Sequence, residues 1–135
     1  MTLPKAQYGQ GDATYQAAGK FEGILKLVVA FYGYMDTLPE AQHIRAMHPK
    51  DLELSIDKLA CFLSGWMGGP RLYREKYGVI AIPSAHSHLN IGSAERDAWL
   101  MCMEKALADQ DYSTDLQGYL LKQLAVPAER CRNLD

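Results

Sequence analysis

Apolar residues in this chain recur chiefly at three- and four-residue steps, the spacing of one face of an α-helix. Between Phe21 and Met35, the residues Leu25, Val28, Tyr32 and Met35 share such a face, predicting a long helix with Tyr32 turned inward. Asp36-Thr37-Leu38-Pro39 breaks it. Pro39 suits the first turn of a short successor through Met47, where its missing N–H is not needed. His48-Pro49 ends that piece, because a residue before proline is pushed out of the α region. Asp51 is the expected N-cap of the longest helix, which runs to Met67. Its stripe is Leu52, Ile56, Leu59, Leu63 and Trp66, widened by Phe62, and Gly68-Gly69-Pro70 stops it. A short helical piece follows from Arg71 to Tyr77 and ends at Gly78. Val79 to Ser84 has the composition of a strand, but with no partner strand in the chain it reads as a buried loop. Ser93 is expected to cap a helix from Ala94 to Ala108, with Glu95 near its N-terminal dipole. After a turn from Asp111 to Thr114, the last helix runs from Asp115 to Leu124 on Leu116, Tyr119, Leu120 and Leu124, limited by Pro127. The pattern predicts an all-α chain with four principal helices in antiparallel pairs.

Length and composition narrow the function classes. At 135 residues the chain suffices for one domain able to enclose a cofactor. The polar, Gly-rich start reads as a mobile arm over 1–13, followed by a single domain over 14–130 and a polar tail over 131–135. A net charge of −2 and a pI near 6.1 remove the electrostatic case for a nucleic-acid binder. No apolar run approaches the ~20 residues of a membrane span. The N-terminus lacks the apolar core of a secretory signal, so a cytoplasmic location is the default expectation. Three cysteines without CxxC spacing argue against a disulfide framework; Cys61 and Cys102, among apolar helix residues, read as small reduced core thiols.

Candidate chemistry concentrates between Ala85 and Met103. His86 lies in a connecting segment, a turn at Ile91-Gly92-Ser93 follows, and Trp99 and Met103 then share one face of a helix. The turn can fold His86 and Trp99 over one cavity. A zinc site through His86 and His88 has no nearby cysteine or carboxylate to complete a tetrahedron. A His₂Cys copper site would need a β scaffold and a better-placed thiolate. Haem needs one protein ligand and an apolar slot, and bulky apolar residues are plentiful here. An all-α fold of this size does not itself decide between these.

The order of motifs resembles the group II truncated haemoglobins over roughly Tyr15 to Ala106. The matching pieces are Phe31-Tyr32, Met47-His48-Pro49, the run from Phe62 to Pro70 with Leu72-Tyr73 after it, His86, and Glu95-Arg96-Asp97-Ala98-Trp99-Leu100. The resemblance implies a two-over-two helical sandwich around haem b (iron protoporphyrin IX), with His86 as proximal iron ligand. It implies a surrounding pocket of Tyr32, His48, Ser55, Leu59, Phe62, Leu89, Trp99 and Met103, with the phenol of Tyr32, the indole N–H of Trp99 and the ring N–H of His48 as distal donors. The family's arginines just before the proximal histidine are Ala85 and Pro83 here. Lys58 and Tyr73, which match other family contacts, are the expected propionate anchors. The implied ligands are dioxygen, nitric oxide, carbon monoxide or cyanide, with a reductase as a further partner. The implied use is oxygen or nitric oxide chemistry rather than bulk transport. A haem enzyme, either a nitric oxide dioxygenase or a peroxidase, is the alternative; a haem-free helical interaction module is the weaker one.

Overall fold

In the computed structural model, which describes residues 8–79 and 86–134, helix α2 (Lys20–Thr37) runs through the centre of the core. Around it lie α1 (Ala13–Ala17), a 3₁₀ turn (Pro39–Ala41), α3 (Gln42–Ala46), α4 (Glu53–Trp66), α5 (Leu72–Tyr77), α6 (Ser93–Ala108) and α7 (Thr114–Cys131). The main packing is α2 against α4, α2 against α6, and α6 against α7, giving two helix pairs stacked two over two. Every described element is helical or a turn, as the three- and four-residue spacing predicts.

The buried face of α2 consists of Ile24, Leu27, Val28, Phe31, Tyr32 and Met35. Leu25, expected on that face, is 37% exposed, because the stripe runs through Ile24 and Leu27 instead. At the start of α2 the backbones pass close together. A Cβ on Gly23 would lie 2.0 Å from the Ala18 carbonyl oxygen, and Tyr112 donates its hydroxyl to that carbonyl at 2.7 Å.

Helix boundaries follow the capping chemistry. Asp51 does accept the Glu53 N–H at 2.9 Å, although the N-cap position itself falls to Leu52. Gly92, not Ser93, is the N-cap of α6; the Glu95 carboxylate reaches back to accept its N–H at 2.7 Å, and this bond holds that carboxyl below its usual range. The last helix departs most from the sequence reading, continuing through Pro127 to Cys131. Proline removes one helical donor and its ring crowds the preceding turn. The carbonyl it leaves without a helical donor belongs to Gln123, a half-buried residue. Tyr8, within the stretch expected to be an arm, packs at a tilt against Tyr119 with ring centroids 5.2 Å apart, while residues 1–7 lie outside the described residues. Of the segment read as a buried loop, only Val79 is described, and it is 82% exposed.

Gly68 ends α4 at φ +89°, and a Cβ there would sit 1.9 Å from the Gly11 carbonyl oxygen. Left-handed backbone and steric conflict act together, so Gly68→Ala is expected to cost more than about 2 kcal/mol. Gly33 and Gly118 lie within helices and have open space around the Cβ position, so alanine at either should stabilise by about 0.5–1 kcal/mol. Urea unfolding of the three variants checks the contrast; a neutral Gly68→Ala would show that the α1–α4 approach is loose.

Candidate functional site

An apolar cavity of about 370 Å³ opens between the helix pairs, within the range of cofactor sites. Helix α4 contributes Ser55, Lys58, Leu59, Phe62 and Leu63, which recur at the three- and four-residue steps of one helical face. Tyr32 enters from α2, Ile44 from α3, Met47 and His48 from the turn after it, and Tyr73 from α5. His86, Leu89 and Ile91 come from the segment before α6, and Glu95, Arg96 and Trp99 from α6 itself. The far end of α7 closes the wall with Leu124, Pro127, Ala128 and Cys131.

The turn falls at Ser87-His88 rather than at Ile91-Gly92-Ser93, where the backbone is extended into the start of α6, and the connection still brings His86 and Trp99 into one wall. Tyr32, His48, Ser55, Lys58, Leu59, Phe62, Tyr73 and Leu89 join them there. Met103, expected beside Trp99, is not in the wall; it is fully buried in the core cluster, one helical turn farther along α6. His88 is exposed and outside the wall. The contribution of α7 beyond Leu124 escapes the sequence reading because Pro127 reads as the limit of that helix, with room for one further turn at most. Leu124, Ala128 and Cys131 do stand at four- and three-residue steps, a signal that carries the helix past Pro127.

An aromatic train fixes the polar groups. Trp99 packs on Phe31 at 5.0 Å between ring centroids, Phe31 meets Tyr32 edge-on at 5.0 Å, and Tyr32 meets His48 edge-on at 5.6 Å. Burial pushes the Tyr32 phenol up to about 12, so it remains a protonated donor throughout the neutral range. His48 lies 2.8 Å from the Ile44 carbonyl through Nδ1. A carbonyl only accepts, so Nδ1 carries the proton in that bond. Burial lowers the imidazole's pKa from its ordinary value, with the Ile44 bond opposing and the Arg45 charge assisting. Neutral His48 therefore keeps a bare Nε2, an acceptor. The expectation of His48 as a distal N–H donor holds only for its protonated form.

Charge gathers at the cavity rim. Lys58 Nζ stands 5.4 Å from the Tyr77 ring centroid, and the Tyr77 hydroxyl donates to Asp57 at 2.5 Å. Arg96 pairs with Asp97 at 3.0 Å and with Glu129. Among the described residues no group of three or more His, Cys, Asp or Glu side chains is arranged to hold a metal ion. A donor set for zinc or copper alone is therefore missing from those residues. A metal carried inside an organic ring with its own nitrogens needs one protein donor and an apolar slot. His86 and the surrounding Leu59, Phe62, Leu89 and Ile91 fit that requirement.

Comparison with known proteins places this geometry in context. The family model of the bacterial-like globins matches residues 13–133. The group 2 truncated haemoglobin YjbI of Bacillus subtilis (strain 168) is 30% identical over 122 residues, covering 90% of this chain and 89% of the relative. The group II 2-on-2 haemoglobin of Agrobacterium tumefaciens superposes with a TM-score of 0.85 at 36% identity, covering 90% of this chain and 95% of that one. The truncated oxygen-avid haemoglobin from Bacillus subtilis gives a TM-score of 0.81 at 30% identity, covering 90% and 99%.

Proposed function

This chain belongs to the bacterial-like globin family, with the two-over-two fold of the group II truncated haemoglobins, and from that premise we propose that it is a haem b protein that retains dioxygen rather than delivering it. The observation that carries this reading is the pairing, in one apolar wall, of the His86 imidazole with the hydrogen-bond donors Tyr32 and Trp99. When bound, haem would supply redox-active iron that takes small diatomic ligands, of which dioxygen would acquire more negative charge than carbon monoxide. His86 would hold the iron through its imidazole. Leu59, Phe62, Leu89 and Ile91 would keep water from the slot that takes the ring. Lys58 and Tyr73 anchor its carboxylates at the rim, and Ser55, small and polar, leaves a path for ligand access. The phenol of Tyr32 and the indole of Trp99 donate to a charged ligand, each contributing roughly 1.5–3 kcal/mol. At ~1.4 kcal/mol per tenfold, two such donors slow release by orders of magnitude. The oxygen avidity of the Bacillus subtilis relative accords with this. Nitric oxide, carbon monoxide and cyanide are the further ligands, a reductase is the expected partner, and the cytoplasm is the expected location; no described helix is long and apolar enough to cross a membrane.

Absorption spectra of the purified ferric, ferrous and carbonyl forms test the proposal. A Soret band that shifts on reduction and again with carbon monoxide is expected. A colourless protein that keeps its helicity when expressed with haem available would sink it and favour a helical interaction module.

The bare Nε2 of neutral His48 favours one second reading, an enzyme that turns over peroxide or nitric oxide with His48 as proton acceptor. Turnover with peroxide or a reductant well above that of free haem would support it.

His48 also gives a pH signature. Its folded pKa lies below the ordinary 6.5, so it is neutral above that value and gains an Nε2–H donor only as pH falls through the lowered pKa. Oxygen release should therefore be flat from pH 7 to 9 and slow only on the acid side of the ordinary imidazole value. For stability the sign is the same: the unfolded chain takes the proton first, so this group's contribution to stability falls as pH drops below about 6.5. Stopped-flow oxygen release against pH, on the wild type and His48→Phe, checks the first statement. A transition on the alkaline side, or one that survives in His48→Phe, would rule out this imidazole as its origin.

A further inference from the structure

The C-terminus closes back on the segment that carries His86. Beyond α7, the side chain of Asn133 donates from Nδ2 to the Leu89 carbonyl at 2.6 Å and to the His86 carbonyl at 3.4 Å. Its Oδ1 accepts the Ile91 N–H at 2.9 Å. The backbone N–H groups of Asn133 and Leu134 both point at the Ile91 carbonyl, at 2.8 and 2.9 Å. This strap is itself braced. Arg132 donates to the Leu134 carbonyl at 3.1 Å and pairs with Glu129, which in turn holds Arg96 of α6.

The stretch from Ser87 to Gly92 is turn and extended backbone, without the repeating bonds of a helix to orient it. An amide side chain is the group that can satisfy carbonyls and an N–H in one reach, since it carries donors and an acceptor together. We propose that Asn133 is a positioning residue for His86: by clamping the His86, Leu89 and Ile91 backbone, it sets the orientation and stiffness with which the imidazole meets the cofactor. The inference rests on the reading of His86 as proximal ligand and adds to it a device contributed by the last residues of the chain. Outer-shell partners that orient a metal-bound histidine act in this way elsewhere, though through the ring N–H; here the hold is on the backbone.

The test uses the haem-loaded protein with Asn133→Ala and Asn133→Asp. The aspartate keeps an acceptor for the Ile91 N–H and loses the donations to the two carbonyls. Three readouts are compared: haem transfer to excess apomyoglobin, the iron–histidine stretching band of the ferrous form by resonance Raman, and helical content by circular dichroism. Asn133→Ala should release haem about tenfold faster, as expected for losing a clamp of several hydrogen bonds. Its iron–histidine band should be shifted or broadened at unchanged helicity. Asn133→Asp sets a carboxylate oxygen against the Leu89 and His86 carbonyls, so it should move both in the same direction by at least as much. If Asn133→Ala folds poorly, Asn133→Asp decides, a shifted band supporting the clamp and a wild-type band overturning it. A wild-type band and haem-loss rate in Asn133→Ala would overturn this inference while leaving His86 as ligand intact. Wild-type protein that shows no iron–histidine band would instead overturn the functional reading on which it rests.

Discussion

Replacing His86 with alanine should abolish stable haem binding, whereas replacing His88 should leave it in place. The two histidines are close in sequence, and composition does not separate them. In the fold His86 is half-buried in the cavity wall, while His88 is exposed and outside it. Loss of an outer partner of a metal ligand already costs 10–100-fold in affinity, so loss of the axial ligand itself should cost more than about a hundredfold. The apolar residues around it, Leu59, Phe62, Leu89 and Ile91, offer no donor to replace the nitrogen. His48 is the competing imidazole, with a bare Nε2, but its Nδ1 bond to the Ile44 carbonyl and its edge-on packing against Tyr32 hold the ring where it stands, so it does not move to take the place of His86. Absorption spectra of the two variants, with circular dichroism as a check on folding, make the comparison. Added imidazole should restore a histidine-like spectrum in His86→Ala, since the truncated side chain leaves room for it. A normal spectrum in His86→Ala without added imidazole would remove it as the proximal ligand.

Oxygen release should accelerate at least about tenfold in Trp99→Phe, the loss of one hydrogen bond to a charged acceptor. Tyr32→Phe should change it by less than about threefold, and the double variant by more than the product of the two singles. The non-additivity follows from the packing. Trp99 and Tyr32 both lean on Phe31, at 5.0 Å each, so their polar ends share a narrow space and either can re-aim when the other is lost. Neighbours in one network couple by roughly 0.5–3 kcal/mol. At neutral pH His48 does not fill the gap, because the nitrogen not bonded to Ile44 carries no proton. Carbon monoxide release should stay within about twofold throughout, since that ligand presents little negative charge to a donor. Stopped-flow release of both gases from the three variants measures this. Equal acceleration of the two gases would indicate a wider pocket rather than a lost hydrogen bond.

Much of this architecture is legible in one dimension. Helical spacing alone gives α2, α4 and α6 to within two or three residues, and the motif from Glu95 to Leu100 locates Trp99 relative to His86. Periodicity gives a face but not what lies against it. On α4 the stripe splits: Leu63 is fully buried with Ala60, Cys61 and Ser64, while Leu59, Phe62 and Trp66 are half-buried. In the same way Met103 and Trp99 share a face, yet only the tryptophan reaches the cavity. Pro127 hid the end of α7, since a proline stop is the better expectation unless the freed carbonyl can be solvated. The tautomer of His48 depends on a backbone carbonyl four residues earlier, which any residue type supplies. Asn133 gives no sign of its role in the sequence, because its partners are backbone atoms some forty positions away that only the closed fold brings near.

The three thiols divide into two environments, and this turns Cys131 into a practical gauge. Cys61 and Cys102 are fully buried, and burial raises the Cys102 thiol to about 11. Cys131 is half-buried and borders the cavity, its thiol raised as well, with the Arg130 charge partly offsetting the burial. Alkylating reagents attack the thiolate and need access, so mildly alkaline iodoacetamide should label Cys131 and spare the other two in the folded chain. A cofactor seated against Cys131 restricts that access. The labelling rate of a single native residue then reports the fraction of molecules that are loaded, with no engineered probe and no dependence on colour.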